Sequence, residues 1–152
     1  MLTAEAQTLI KNHPAGMVAT VNEDGTPSVS PKATFVVIDE QTLAFGNLRS
    51  PGTLANIRKR PAVEVCFIDV VLRTAVRVTG TASIVSKADA PEDIRAAFDA
   101  GWGPFHEHMS LYVKIDVSAA EMILSPAYDR GTTEEELREA NMTKLNNLYG
   151  DA

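Results

Sequence analysis

Residues 73–86, Arg-Thr-Ala-Val-Arg-Val-Thr-Gly-Thr-Ala-Ser-Ile-Val-Ser, constrain the fold more than any other stretch. Val76, Val78, Gly80, Ala82 and Ile84 share one parity, and Arg73, Ala75, Arg77, Thr79 and Thr81 share the other. Successive side chains of an extended chain point to opposite sides, so this alternation predicts a strand with one face on a core and one face elsewhere. Further strand-like runs occupy residues 16–22, 27–39, 41–47 and 62–70, and residues 111–124 read as one or two closing strands. Asp24-Gly25 between the first two runs is a hairpin signal. Pro31 lies inside the second run. Having no N–H for the ladder, it belongs at an edge, a bulge or an interruption.

Helical patterns punctuate these runs. Thr3 caps a first helix to Asn12, with Ala6, Leu9 and Ile10 on one face. A short helix is predicted over Pro51–Lys59, stopped by Pro61. Another runs from Glu92 to about Ala100 on Ile94, Ala97 and Phe98. Thr133 and Glu136 form a capping box for a last helix, with Leu137, Ala140, Leu145 and Leu148 as its expected buried stripe. About five or six strands with hairpin links and no βαβ rhythm predict a mainly β, α+β domain: a small antiparallel barrel with a few peripheral helices. The 152 residues fit a single domain, with a C-terminal helical extension at about 132–150.

Composition excludes some functions. The net charge of −6 argues against a nucleic-acid or anionic-membrane partner, since phosphate contacts need a basic field. No apolar run approaches the ~18 residues of a membrane helix, and the first residues lack the pattern of a secretory signal. Cys66, the single cysteine, sits in an apolar run as an expected small core residue. A cytoplasmic protein is the expectation.

The stretch Phe45–Pro61 suggests a binding site. Ser50 suits an N-cap, Pro51 a first helical position, and Gly52 a close backbone approach. The first turn of a helix leaves N–H groups without partners, and these attract anions, phosphate above all. Ser50 and Thr53 add hydroxyls, and Arg49 adds a guanidinium able to grip two phosphate oxygens. The stretch is neither a Walker loop nor a dinucleotide fingerprint. Taken alone, an ordinary capped helix that binds nothing is the plainer reading of this segment. Lys32, beside Pro31, is a second cation able to meet a phosphate or the polar edge of a ring; an edge proline with a solvated lysine is the plain alternative.

In this order, residues 16–47, 49–65 and 76–85 resemble the FMN-binding split-barrel family, which includes the pyridoxamine 5′-phosphate oxidases and small FMN-binding proteins. The likeness covers about residues 15–85. It implies a split barrel acting as a homodimer, with one FMN in each of two interface clefts. The resemblance assigns the ribityl phosphate to Arg49, Ser50 and Thr53, with Asn47 and Asn56 beside them. It lays the isoalloxazine along Ser30, Pro31, Lys32, Ala33 and Thr34. Trp102 is a candidate to close the cleft from the second subunit, or else a core or surface aromatic. The adjacent basic residues that the oxidases carry after the loop serine are replaced here by Pro51-Gly52, and their arginine-rich ending is absent. The resemblance therefore carries the flavin further than it carries oxidation of vitamin B6.

Other constellations are weaker. Arg73 and Arg77 lie four apart on the non-core face of one strand, fit to bind an anionic substrate, line an interface or be solvated. Tyr128 and Arg130 could cover a flavin or substrate, or simply form a turn. His106 and His108 would point the same way in an extended segment, but two histidines fall short of a metal site. No nucleophile with a partnered base is legible, so no catalytic residue is assigned. The expected function is an FMN-dependent oxidoreductase that moves electrons or hydride from a reduced donor, such as NAD(P)H, to a small organic acceptor or oxygen. A flavin carrier, electron-transfer or sensor module is the alternative, as is a related deazaflavin or haem binder.

Overall fold

Asp24 starts the sheet by closing its first hairpin. Its carboxylate accepts bonds from the Thr26 amide at 3.0 Å and the Thr26 hydroxyl at 2.5 Å, and Gly25 takes the left-handed conformation between them. These bonds hold the Asp24 carboxyl below its usual pKa. The computed structural model of the chain describes residues 1–150. The hairpin joins β1 (Gly16–Val21) to β2 (Pro27–Lys32). β3 (Phe35–Asp39) and β4 (Thr42–Asn47) follow, then α2 (Pro51–Lys59), β5 (Ala62–Asp69) and β6 (Thr74–Ser86). After α3 (Glu92–Trp102) and a 3-10 turn at Gly103–His108 come β7 (Leu111–Leu124), α4 (Pro126–Asp129) and α5 (Glu134–Tyr149); α1 (Ala4–Asn12) precedes β1.

The strands form one antiparallel sheet in the order β2-β1-β5-β6-β7-β4-β3. Seven strands replace the expected five or six, because the run over residues 27–39 breaks in two. At the break Thr34 turns inward, where its hydroxyl donates to the Gly46 carbonyl at 2.7 Å and accepts from the Gly46 amide at 3.1 Å. β2 and β3 therefore lie on opposite margins of the sheet, joined only by Ala33 and Thr34. A link this short reaches only about 10 Å. The sheet must curl until its margins nearly meet, giving a barrel split along one seam. Pro31 sits on the marginal strand β2, as its missing donor requires.

The barrel interior is filled from alternate positions of the strands: Val18, Phe45, Val63, Val65, Phe67, Val76 and Val78 are all buried there. Phe35 joins them, 4.8 Å from Phe67 in an edge-to-face pair. Leu9 and Ile10 of α1 and Leu54 and Ile57 of α2 close the barrel ends. A second, smaller core lies outside β4 and β7, where Ile94 and Phe98 of α3 cover Ala44 and Tyr112.

Residues 111–124 form one strand with an irregularity in register opposite Thr79 and Gly80, where Ser118 is the extra residue. Val113, Ile115 and Val117 face the barrel before it, and Ala120 and Met122 after it. The bulge shifts the inward parity from odd to even, so the second half of the strand still points its apolar side inward. Gly80 makes the close approach possible, since a Cβ there would lie 2.5 Å from the Asp116 carbonyl oxygen.

Three expectations are corrected. Cys66 is half-buried and pairs with Met17 and Arg77 on the outer face of the sheet, because the core parity of β5 falls on its neighbours Val65 and Phe67. Arg73 lies outside β6, in the turn before it, with φ 53°. α5 does not bury a leucine stripe: its only buried residue is Asn141, and Leu148 is exposed. The helix is anchored at its middle by the bond from Asn141 to the Val71 carbonyl and leaves its last turns uncovered. Among the described residues, no helix is long and apolar enough to cross a membrane.

Candidate functional site

An open groove of about 520 Å³ runs between β2 and the start of α2. The alternation of β2 builds one wall. Pro27, Val29 and Pro31 face outward, while Ser28, Ser30 and Lys32 are half-buried on the other side. Lys32 Nζ donates to Ser30 Oγ at 2.8 Å. Burial holds the Lys32 pKa below the usual lysine value. No carboxylate lines the groove, and an anion drawn in beside this ammonium would stabilise its charge.

The loop and helix after β4 build the facing wall. Pro51 begins α2, and the first intrahelical bond runs from the Leu54 amide to the Ser50 carbonyl at 3.1 Å. The amides of Gly52 and Thr53 precede that bond, so the helix itself gives them no acceptor. Ser50 occupies the capping position, yet its hydroxyl makes no capping bond, although the residue is buried. Thr53 is also buried, and unlike Thr8 and Thr143 its hydroxyl does not bond back to the preceding turn. A Cβ on Gly52 would meet nothing within 4 Å, so the space before the helix tip is open. Arg49 is exposed at the rim and forms no ion pair among the described residues. Two hydroxyls, two amides and a guanidinium thus face one space without partners of their own. This donor set fits a phosphate group.

Other residues expected here are engaged elsewhere. Thr34 is held by Gly46, and Ala33 and Pro31 are exposed on the outer side. Asn56 lines the groove, but its amide donates to Thr20 at 3.0 Å and to Asn22 at 2.9 Å, and its carbonyl oxygen accepts from Arg60. It stiffens the floor. Asn47 lies beneath the loop, donating to Ser110 Oγ at 3.0 Å, while its own Oδ1 is buried without a partner. That orphan acceptor lies two residues before Arg49, at the barrel end. Ser28 and Asn22 also line the groove and were not among the expected residues. The alternation through Ser30 and Lys32 was sufficient to find Ser28; nothing local to Asn22 marked it.

The remaining candidates lie outside this groove. Trp102 lines a separate cavity of about 410 Å³ between α1, β3 and α3, where its indole donates to the Phe35 carbonyl at 3.4 Å. Arg77 lies on the outer sheet face, bonded to Glu121 at 2.5 Å. Tyr128 donates to the Leu72 carbonyl at 2.5 Å, next to Arg73, and Arg130 is exposed just beyond. His106 and His108 belong to the 3-10 turn rather than an extended segment. His106 bridges Asp99, at 2.5 Å, and the Tyr112 hydroxyl, pinning the smaller core.

Similarity to known proteins extends over most of the chain. The family model described as pyridoxamine 5′-phosphate oxidase matches residues 2–124. The crystal structure of HupZ from Group A Streptococcus is 27% identical, with a TM-score of 0.69, over 82% of this chain and 96% of that one. A pyridoxamine 5′-phosphate oxidase-like protein from Lactobacillus delbrueckii is also 27% identical, with a TM-score of 0.64, over 79% and 93% of the two chains. An F420 reductase shares the fold at 22% identity, with a TM-score of 0.59, over 76% of this chain and 94% of its own. No curated protein matches.

Proposed function

The chain belongs to the pyridoxamine 5′-phosphate oxidase family, and from that premise we propose that it is an FMN-binding oxidoreductase. The observation that carries the proposal is the set of donors at the tip of α2: Arg49, the Ser50 and Thr53 hydroxyls and the first-turn amides, all facing one groove. These groups hold the phosphate end of the cofactor. Ser30 and Lys32 on the opposite wall meet the more distant part of the molecule, where the Lys32 ammonium stabilises negative charge and Ser30 keeps it oriented through their mutual bond. The buried Asn47 and Asn56 amides brace the loop and helix that carry these donors. When bound, the isoalloxazine supplies the transfer of electrons or hydride between a reduced donor and a small organic acceptor or oxygen; the protein supplies position and charge.

The groove is open on one side. In the proposed assembly a second copy of the chain covers it, making a homodimer with two equivalent clefts.

The test is the visible spectrum of freshly purified protein, followed by titration with FMN. A yellow protein, or saturable uptake of FMN by a colourless one, is expected. Arg49→Ala should weaken FMN binding about tenfold or more, because it removes a charge-assisted contact. Thr53→Val should cost about 0.5–1.5 kcal/mol of binding. A colourless protein that takes up no FMN would sink the proposal. NADH or NADPH oxidation with a defined acceptor separates an enzyme from a flavin carrier.

A further inference from the structure

The cavity of about 410 Å³ beside Trp102 lies over the free margin of β3, which pairs on its other side with β4 alone. Ile10 and Pro14 wall it from α1 and the loop after it, and Ala97, Gly101 and Trp102 wall it from α3. Small side chains keep it open on the α3 side; a Cβ on Gly101 would already touch Val36 at 3.4 Å. Lys11 is the one charged lining residue. It is exposed to water, and no carboxylate lines the cavity.

The strand margin supplies the polar groups. Thr34 meets Gly46, and Val36 lies opposite Ala44, so both turn toward β4. Backbone groups alternate in direction along an antiparallel strand, so those of Phe35 and Val37 point away from β4, toward the cavity. The bond from the Trp102 indole to the Phe35 carbonyl has this direction, and at 3.4 Å it is longer than an ordinary N–H···O bond. Among the described residues, the Val37 amide and carbonyl take no backbone partner outside the ladder. A donor and an acceptor thus stand side by side on an otherwise apolar cavity, ready to be paired as a neighbouring strand would pair them. Phe35 follows Lys32 of the α2 groove by only Ala33 and Thr34, so this margin begins within about 10 Å of that groove.

We propose that the organic substrate binds in this cavity and is an uncharged, flat heteroaromatic molecule with an amide-type edge. Its role as substrate rests on the flavin reading above, whereas the ligand class rests on the cavity alone. The ring lies against Trp102, its edge N–H donates to the Phe35 carbonyl, and its edge C=O accepts from the Val37 amide. The volume and the apolar walls suit a ring of this kind, with few polar groups to orient it. Charge argues against a phosphorylated or carboxylate-bearing substrate. An anion here would give up its hydration for one cation that is itself in water, and an exposed pair of that kind returns little.

The experiment titrates the intact protein, as purified and with FMN added, with 2-quinolone, its N-methyl derivative and pyridoxine 5′-phosphate. Amide-resolved NMR follows the Val37 amide and the indole signal of Trp102, the single tryptophan of the chain. 2-Quinolone should shift both signals saturably. The N-methyl derivative should bind about fivefold more weakly, having lost one neutral hydrogen bond. Pyridoxine 5′-phosphate should leave both signals in place. Ala97→Phe should fill the cavity and abolish the 2-quinolone shifts; Ala100→Trp, at an exposed helix position, should do so with the circular dichroism of the fold retained. No saturable shift, equal affinity for 2-quinolone and its N-methyl derivative, a matching response to pyridoxine 5′-phosphate, or binding that survives in both filled variants overturns the proposal. A protein that takes up no FMN yet binds 2-quinolone here sinks the flavin reading and leaves the ligand class standing. One that takes up FMN and ignores 2-quinolone overturns this proposal alone.

Discussion

Lys32 shows how one side chain sets the behaviour of the α2 groove. Burial lowers its pKa, and a bound anion opposes that shift. The ammonium favours the anion only while protonated, so FMN affinity should fall as pH rises through the lowered lysine value. Titrations across alkaline pH should show this decline in the parent protein and a flatter profile in Lys32→Met. Arg73 gives a prediction about stability. Glycine has no Cβ penalty at positive φ, although it loses more freedom on folding. Arg73→Gly should therefore raise unfolding stability by up to about 1 kcal/mol, measured by denaturant midpoint. Arg49, Ser50 and Thr53 were legible as groove residues from the orphan donors of a helix start and Lys32 from its place beside Pro31, whereas Ser30 came only through the family resemblance. Thr34 and Asn56 have suitable chemistry at suitable positions, but partners distant in sequence, Gly46 and Thr20, engage them. Pairings between segments so far apart leave no local trace.

Among the elements, the bulge between β6 and β7 is the most exacting. Gly80→Ala would press a methyl against the Asp116 carbonyl and Ile115, and should destabilise the fold by about 1–3 kcal/mol, read by thermal or denaturant unfolding. α5 should respond differently. Asn141→Ala leaves the Val71 carbonyl without its donor and should cost about 1–2 kcal/mol, seen first as faster amide exchange in α5 and the β5–β6 turn. Sequence patterns located α1, α2 and the capping box of α5 because caps and prolines act within a few residues. They merged β2 with β3 because the break at Ala33-Thr34 contains neither glycine nor proline; it is made by the tertiary bond of Thr34. The stripe expected on α5 failed for a related reason: leucines at helical spacing identify a face, not what covers it.

For the molecule as a whole, the outer face of the sheet carries Met17 and Val29 exposed beside Cys66 and Ile68. Apolar positions grouped on one face commonly mark association. Sedimentation velocity should report a dimer, and Met17→Asp should shift it toward monomer while lowering flavin occupancy if the second copy covers the α2 groove. The antiparallel barrel class was readable from the number of strand-like runs, the hairpin links and the missing βαβ rhythm. Where the barrel splits was not, because that depends on which margins receive β2 and β3. That placement has a mechanical meaning. At Ala33-Thr34 the two margins are leashed by covalent bonds, and at that point they can part only as far as two residues stretch. Anything that grips both Lys32 before the leash and the helix tip after β4 works as a buckle, restraining the lips without adding a strand. A barrel so fastened should breathe as one body, its opposite margins exchanging amide hydrogens at a common, slower rate.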